Sequence, residues 1–167
     1  MNTHYVRLCA AALLGATVMA PLQAEPMIST NRITMDTALQ LAQATIEACR
    51  KEGVQIAVTV VDRGGHPQVV LRDVLAMDLT LAISKQKAYT ALSFNTPTSQ
   101  LAERFSGPYS VMKLEGLVAS AGGLPITAGG ALLGGIGVSG APSGVTDERC
   151  AQAGLDAIQD NLEMAAF

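Results

Sequence analysis

Two glycine pairs constrain this chain more than any other feature. Gly64-Gly65 separates "VQIAVTVVD" (Val54 to Asp62) from "QVVLR" (Gln68 to Arg72). Gly129-Gly130 separates "PITA" (Pro125 to Ala128) from "ALLGGIGVS" (Ala131 to Ser139). Each pair is turn chemistry between runs rich in β-branched and apolar residues, which is the signature of a β-hairpin. Strands joined by so tight a turn pair antiparallel, because parallel neighbours need a crossover of about a dozen residues or more. Helical spacing predicts the rest. A stripe of Ala38, Leu41, Ala42, Thr45, Ile46 and Cys49 marks a helix over Ile33–Glu52, with Thr34 as candidate N-cap and Gly53 as its stop. A second helix runs over Ala76–Phe94, carrying Leu79, Ile83, Lys87 and Leu92. Pro97 breaks it, and a short helix follows, capped by Thr98 or Ser99 and ended by Gly107-Pro108. Another short helix is expected over Tyr109–Leu117, and a last one over Val145–Ala165, capped by Thr146 or Asp147. The order helix, hairpin, helices, hairpin, helix predicts an α+β fold. Its antiparallel sheet is built from two β-hairpins, with helices packed on the sheet faces.

The string "GGIGVSG" (Gly134 to Gly140) contains G-x-G-x-x-G, the dinucleotide fingerprint. Its setting excludes that use. The fingerprint follows a strand, opens a helix and leads to a second parallel strand. Here Gly135 and Gly137 fall inside the strand, and no such strand follows. No dinucleotide is expected. Gly137-Val138-Ser139-Gly140 also begins a nucleophile elbow but ends in Ala141, and the histidine precedes the serine. Glycine inside a strand otherwise marks the close approach of another backbone or a ligand. A packing helix or a sister subunit is the expected neighbour.

The first 24 residues read as a secretory leader, with an apolar stretch from Leu8 to Ala20 and a cleavage site after Ala24. A retained membrane anchor is the other reading, although the stretch is shorter than the roughly 20 residues a span needs. Residues 25–32 form an N-terminal extension, and 33–167 a single domain. The expected location is periplasmic or secreted. Without Arg7 and the leader, ten Lys and Arg face fourteen Asp and Glu, and no basic run argues for nucleic acid. With 49% hydrophobic and 15% charged residues, the composition supplies a core and suits subunit contacts. Cys49 and Cys150 survive cleavage as a candidate disulfide; each also suits an inward helical position as a free thiol. Only His66 survives as a histidine, which excludes a zinc site built on two histidines.

Four segments carry a resemblance: "VTVVDRGGHPQVVLR", "KQKAYTALSFNTPTSQL", "GLPITAGGALLGGIGVSGAPSG" and "DERCAQAGLDAI". In this order, and over about Ile33 to Ile158, the chain resembles the GlcG/HbpS-like haem-binding family. That family also includes the C-terminal domain of PduO-type cobalamin adenosyltransferases. The resemblance implies a profilin-like layer fold, homo-oligomers and haem binding in some members. Relatives often read "RMDGA" after the second strand; this chain reads "RDVLA", keeping Arg72 but losing the glycine.

With that expectation, His66 is the candidate haem-iron ligand, or else a polar turn residue. Lys87 and Arg72 are candidate partners for a propionate or substrate carboxylate, or else a snorkelling lysine and a solvent-facing strand end. Phe94, Thr96 and Thr98 mark a helix break where a flat ligand would stack, or where Phe94 fills the core. Met77 and Met112 are soft-ligand candidates and Tyr89 and Tyr109 oxygen-ligand candidates, with packing as the commoner role of both types. Haem would be held noncovalently, since the chain has no CxxCH. The leading expectation is an oligomeric binding protein for haem or a similar flat anionic small molecule. The alternative is an enzyme using acid–base chemistry on a carboxylate or aromatic metabolite, drawing on His66, Lys87, Arg72 and Asp62 or Asp147. The third is an interaction module for a membrane sensor.

Overall fold

The computed structural model describes residues 26–165; the expected leader lies outside them. The elements are α1 (Met35–Lys51), β1 (Ala57–Asp62), β2 (Pro67–Arg72), α2 (Leu79–Phe94), α3 (Thr98–Arg104), β3 (Gly123–Ala128), β4 (Ala131–Ser139), α4 (Gly144–Asp156) and α5 (Gln159–Ala165). Thr34 caps α1, its side chain accepting from the Thr37 N–H. Both hairpins form, and they join through their inner strands. The sheet order is β2-β1-β4-β3, antiparallel throughout, with Thr59 opposite both Val70 and Gly137. The fold is α+β, as expected.

The sheet is covered on both faces. On one, Val58, Val60, Ile126, Ile136 and Val138 join Leu41, Ile46, Ala151, Leu155 and Ile158 of the α1, α4 and α5 side in the main core. On the other, α2 lies against β1 and β4, with Val61, Ala88 and Leu92 in a smaller apolar cluster. The double cover explains why β1 does not alternate in exposure: Ala57 through Val61 are all buried.

α2 comes very close to the sheet because β4 carries glycines where it crosses. A Cβ on Gly137 would stand 2.0 Å from the Ser84 carbonyl oxygen, and one on Gly135 would stand 2.4 Å from that of Ala88. The "other backbone" these glycines admit is therefore α2.

Several local expectations change. The last helix is two, α4 and α5, parted at Ala157–Ile158. Ser143 caps α4 through the Val145 N–H, so neither Thr146 nor Asp147 does, and the Asp147 carboxylate is free for a tertiary pairing. Thr98 opens α3 after Pro97 but does not cap it; its hydroxyl donates to Ser120 O and accepts from Gly123 N. Over Tyr109–Leu117 only one 3₁₀ turn forms, Val111–Lys113.

Cys49 of α1 and Cys150 of α4 are bonded, with Cα atoms 5.4 Å apart and a sequence separation of 101. Closing so long a loop restricts the unfolded chain, for a contribution of about 2–4 kcal/mol. Thermal melting with and without reductant is expected to show a loss of that size. Cys49→Ser/Cys150→Ser is expected to melt at the lower temperature under both conditions.

Candidate functional site

α2 divides the chemistry of this protein between its two sides. Its inner face is mostly small or polar: Thr80, Ser84, Lys87, Ala88, Thr90 and Ala91 are buried, with Leu92 near its C-terminal end. Large side chains would not fit against the β4 glycines. The Ser84 hydroxyl meets that of Thr59 at 2.8 Å, which satisfies both under the helix. Lys87 is only 3% exposed. Its Nζ donates to the Val138 carbonyl and to Asp147 Oδ2, both at 2.9 Å, and Asp147 Oδ1 accepts from the Ala141 N–H at 3.0 Å. Burial pushes the Asp147 carboxyl up, and hydrogen bonding and charge from Lys87, together with the Ala141 N–H, oppose it. The pair forms the floor of a cleft of about 270 Å³ whose rim includes Met77, Leu79 and Ile83.

The outer face of α2 bears a larger cleft, about 430 Å³, lined by Gly65, Ala82, Lys85, Gln86, Tyr89 and the Glu115–Gly116 loop. Tyr89 is 42% exposed. Its ring occupies the space beside Gly65, 2.7 Å from where a Cβ would be, and Gly65 has φ +84°. Only glycine therefore lets the β1–β2 turn dock on this tyrosine.

His66 follows directly, with its side chain 83% exposed. Its Nδ1 is 3.5 Å from Asp62 Oδ1, and Nε2 has no protein partner among the described residues. Asp62 Oδ1 also accepts from the Gly64 and His66 N–H groups, each at 2.9 Å. The His66 N–H chiefly holds this carboxyl below its usual range, helped by the Gly64 N–H and by charge on His66 and Arg32, against partial desolvation. A carboxyl whose folded pKa is depressed stabilises above its unfolded pKa, and that contribution is lost as pH falls through the folded value. The turn is therefore expected to loosen only below about pH 4. Amide exchange at Gly64 and His66 checks this: their protection relative to the intrinsic rate should fall there ahead of that of the core.

The six residues singled out from sequence do not converge. His66 stands at the turn, and Arg72 lies six residues along at the opposite end of β2. Nη1 of Arg72 donates to the carbonyls of Ala76 and Asp73. Lys87 is beneath α2, tied to Asp147. Phe94, Thr96 and Thr98 gather at the α2–α3 corner, where the Phe94 ring lies 5.2 Å from that of Phe105. There the Thr96 hydroxyl donates to Phe94 O, so both threonine hydroxyls are spent on main chain. Met77 is exposed and Met112 half-buried. Tyr109 is exposed in full and lines neither cleft beside α2. Lys85 and Ser139 were not singled out as ligand residues, and the pairing of Lys87 with Asp147 has no local pattern. Its one signal is a lysine on a stripe of small residues, Ser84, Lys87, Ala88 and Ala91. No group of three or more His, Cys, Asp or Glu side chains among the described residues is placed to hold a metal ion.

The family model described as "Haem degrading protein HbpS-like" matches residues 33–156. The chain belongs to the HbpS-like family. Among solved structures, a doubly substituted HbpS of Streptomyces reticuli superposes with TM-score 0.76 at 40% identity, over 83% of this chain and 97% of that one. PduOC in complex with haem superposes with TM-score 0.70 at 27% identity, over 77% of this chain and 96% of that one. An uncharacterised 15.0 kDa protein of Citrobacter freundii, from the dhaT-dhaS intergenic region, is 31% identical over 113 residues. That match spans 65% of this chain and 80% of that protein. This HbpS-like chain thus shares its fold with a relative solved in complex with haem.

Proposed function

We propose that this HbpS-like protein binds haem noncovalently on the outer face of α2, in the cleft between Tyr89 and the Glu115–Gly116 loop. The observation that carries the reading is the docking of the His66 turn on Tyr89. It puts an exposed imidazole with a free Nε2 one residue from a cleft that also holds an aromatic face and a lysine. The residues fit the group. About 430 Å³ falls within the ~300–1,000 Å³ of small-molecule sites. Tyr89 offers a ring to a flat ligand, Lys85 a cation to a propionate, and His66 an axial nitrogen of the kind that holds haem iron. Bound iron would supply the redox chemistry. The chain's own residues bind and orient it, and Asp62 steadies the imidazole from the Nδ1 side.

The location and the assembly follow as part of the same reading. The Cys49–Cys150 bridge suits an oxidising compartment, in keeping with the leader-like first 24 residues. The exposed apolar pair Val74 and Leu75 suits contact between copies of the chain. Haemin titration with size-exclusion chromatography on the same sample tests the function. The expected result is a saturable Soret band at a fixed haem-to-chain ratio, eluting as an oligomer. A spectrum that never departs from free haemin would end the proposal.

A further inference from the structure

The cleft over Lys87 and Asp147 is not needed for haem on the far side of α2, yet it has the makings of a site. We infer that it is a second ligand site, one that takes a small organic acid with a short apolar tail.

Three observations carry this. First, Lys87 is buried, carries three N–H donors and uses two of them, on Val138 O and Asp147 Oδ2. One donor is left without a protein partner among the described residues. Second, Ser139 is only 6% exposed and its hydroxyl has no hydrogen-bond partner among the described residues. Side chains alternate along a strand, so Ser139 points to the same face as Gly137 and Gly135, the face that α2 covers. Its hydroxyl is therefore aimed into the cleft it lines. The oxygen is not among the wholly buried unpaired ones, so it opens on the cleft and is free to meet a ligand. Third, Gly144 at the cleft edge is the first residue of the 13-residue α4, whose positive end favours an anion.

Charge and shape narrow the ligand. Lys87 Nζ can only donate and the Ser139 hydroxyl can donate, so a ligand acceptor suits both. A carboxylate placed there sets Lys87 between two anions, its own Asp147 and the ligand's, and the one negative charge in excess faces the positive end of α4. A cation would face the lysine. A phosphate dianion would crowd Asp147 and leave Met77, Leu79 and Ile83 without a partner. Met77 and Leu79 are 61% and 53% exposed at the mouth, so a short aliphatic tail would cover apolar surface that now faces water. The volume of about 270 Å³ limits the ligand to a small acid.

The test is an amide-shift titration of the isotope-labelled full chain by NMR. The probes are acetate, butyrate and hexanoate, with n-butylamine, n-butanol and inorganic phosphate as comparators. Expected are saturable shifts at Ser139, Gly140 and Gly144, with butyrate binding more tightly than acetate. Ser139→Ala removes an unpartnered hydroxyl, so it should melt like the wild type while raising the butyrate Kd about tenfold. Leu79→Ser, at a half-exposed position, should shrink the gain from acetate to butyrate. The inference is overturned if no acid shifts these amides, if n-butylamine, n-butanol or phosphate binds as tightly as butyrate, or if Ser139→Ala leaves the butyrate Kd unchanged. Haemin binding is read separately, so failure here and failure of the haem assignment are distinguishable.

Discussion

Lys87→Ala is expected to lower the melting temperature by about 10–20 °C. The side chain is 3% exposed and its Nζ holds Asp147 Oδ2 and the Val138 carbonyl. Removing it strands a carboxylate that burial already disfavours. Breaking a buried pair from one side costs about 3–5 kcal/mol, because an uncompensated charge stays inside. Each kcal/mol moves the midpoint by roughly 4 °C in a domain of this size. Asp147 cannot escape the cost by turning outward, since Oδ1 is fixed by the Ala141 N–H at the entry to α4. The double variant Lys87→Met/Asp147→Leu is expected to recover much of the loss, since apolar replacement of both partners is often near neutral. The double variant separates the stranded charge from the lost hydrogen bonds: recovery places the cost in Asp147, and no recovery places it in the Val138 carbonyl and the Ala141 N–H, which both lose their partners. Neither variant changes the outer face of α2, so haem binding should persist at temperatures where they remain folded.

Gly137→Ala is expected to be at least as damaging, for a steric reason. The new Cβ would lie 2.0 Å from Ser84 O and 2.5 Å from Ala88 N, both backbone atoms of α2. Neither can swing away as a flexible side chain would, so the helix must retreat from the sheet. Ordinary overpacking costs about 1–3 kcal/mol, and displacing a whole helix should exceed the top of that range. The retreat would separate the Ser84 and Thr59 hydroxyls and loosen the contact of Ala88 and Leu92 with Val61. Because Tyr89 and Lys85 ride on the same helix, haem binding should fall with stability. Gly107→Ala is the matched control: a Cβ there meets nothing within 4 Å, and melting should change by no more than about 0.5 kcal/mol. Guanidinium melts of the three proteins give the comparison. Equal midpoints for Gly137→Ala and Gly107→Ala would refute the close-approach account.

What the sequence disclosed divides by range. Hairpins announce themselves locally, through a glycine pair and flanking β-branched residues, and both formed as read. The "GGIGVSG" strand announced a close neighbour without saying which; the neighbour is a helix from the same chain. Lys87 and Asp147 are 60 residues apart, and no spacing rule links a lysine on one helix to an aspartate on another. Asp147 looked like a cap because it stands in the first turn of α4, yet Ser143 had the position and the geometry. The break at Ala157–Ile158 has no proline or glycine to mark it. The function signal was likewise distributed. Four segments together pointed to a family, whereas the side chains picked one at a time lie at separate places on the fold. The outer cleft is assembled from a turn, a helix and a loop that meet only in three dimensions.

The central claim is that haem sits where the His66 turn meets Tyr89. The most direct measurement is the Soret titration of wild type beside His66→Ala, Tyr89→Ala and Arg72→Ala. Arg72 is six residues from His66 along the hairpin and its guanidinium is engaged by the Ala76 and Asp73 carbonyls. The account predicts a saturable band for the wild type and for Arg72→Ala. It predicts a shifted and weakened band for His66→Ala, and weaker binding for Tyr89→Ala. Titrations of His66→Ala and Tyr89→Ala that overlie the wild type would contradict it.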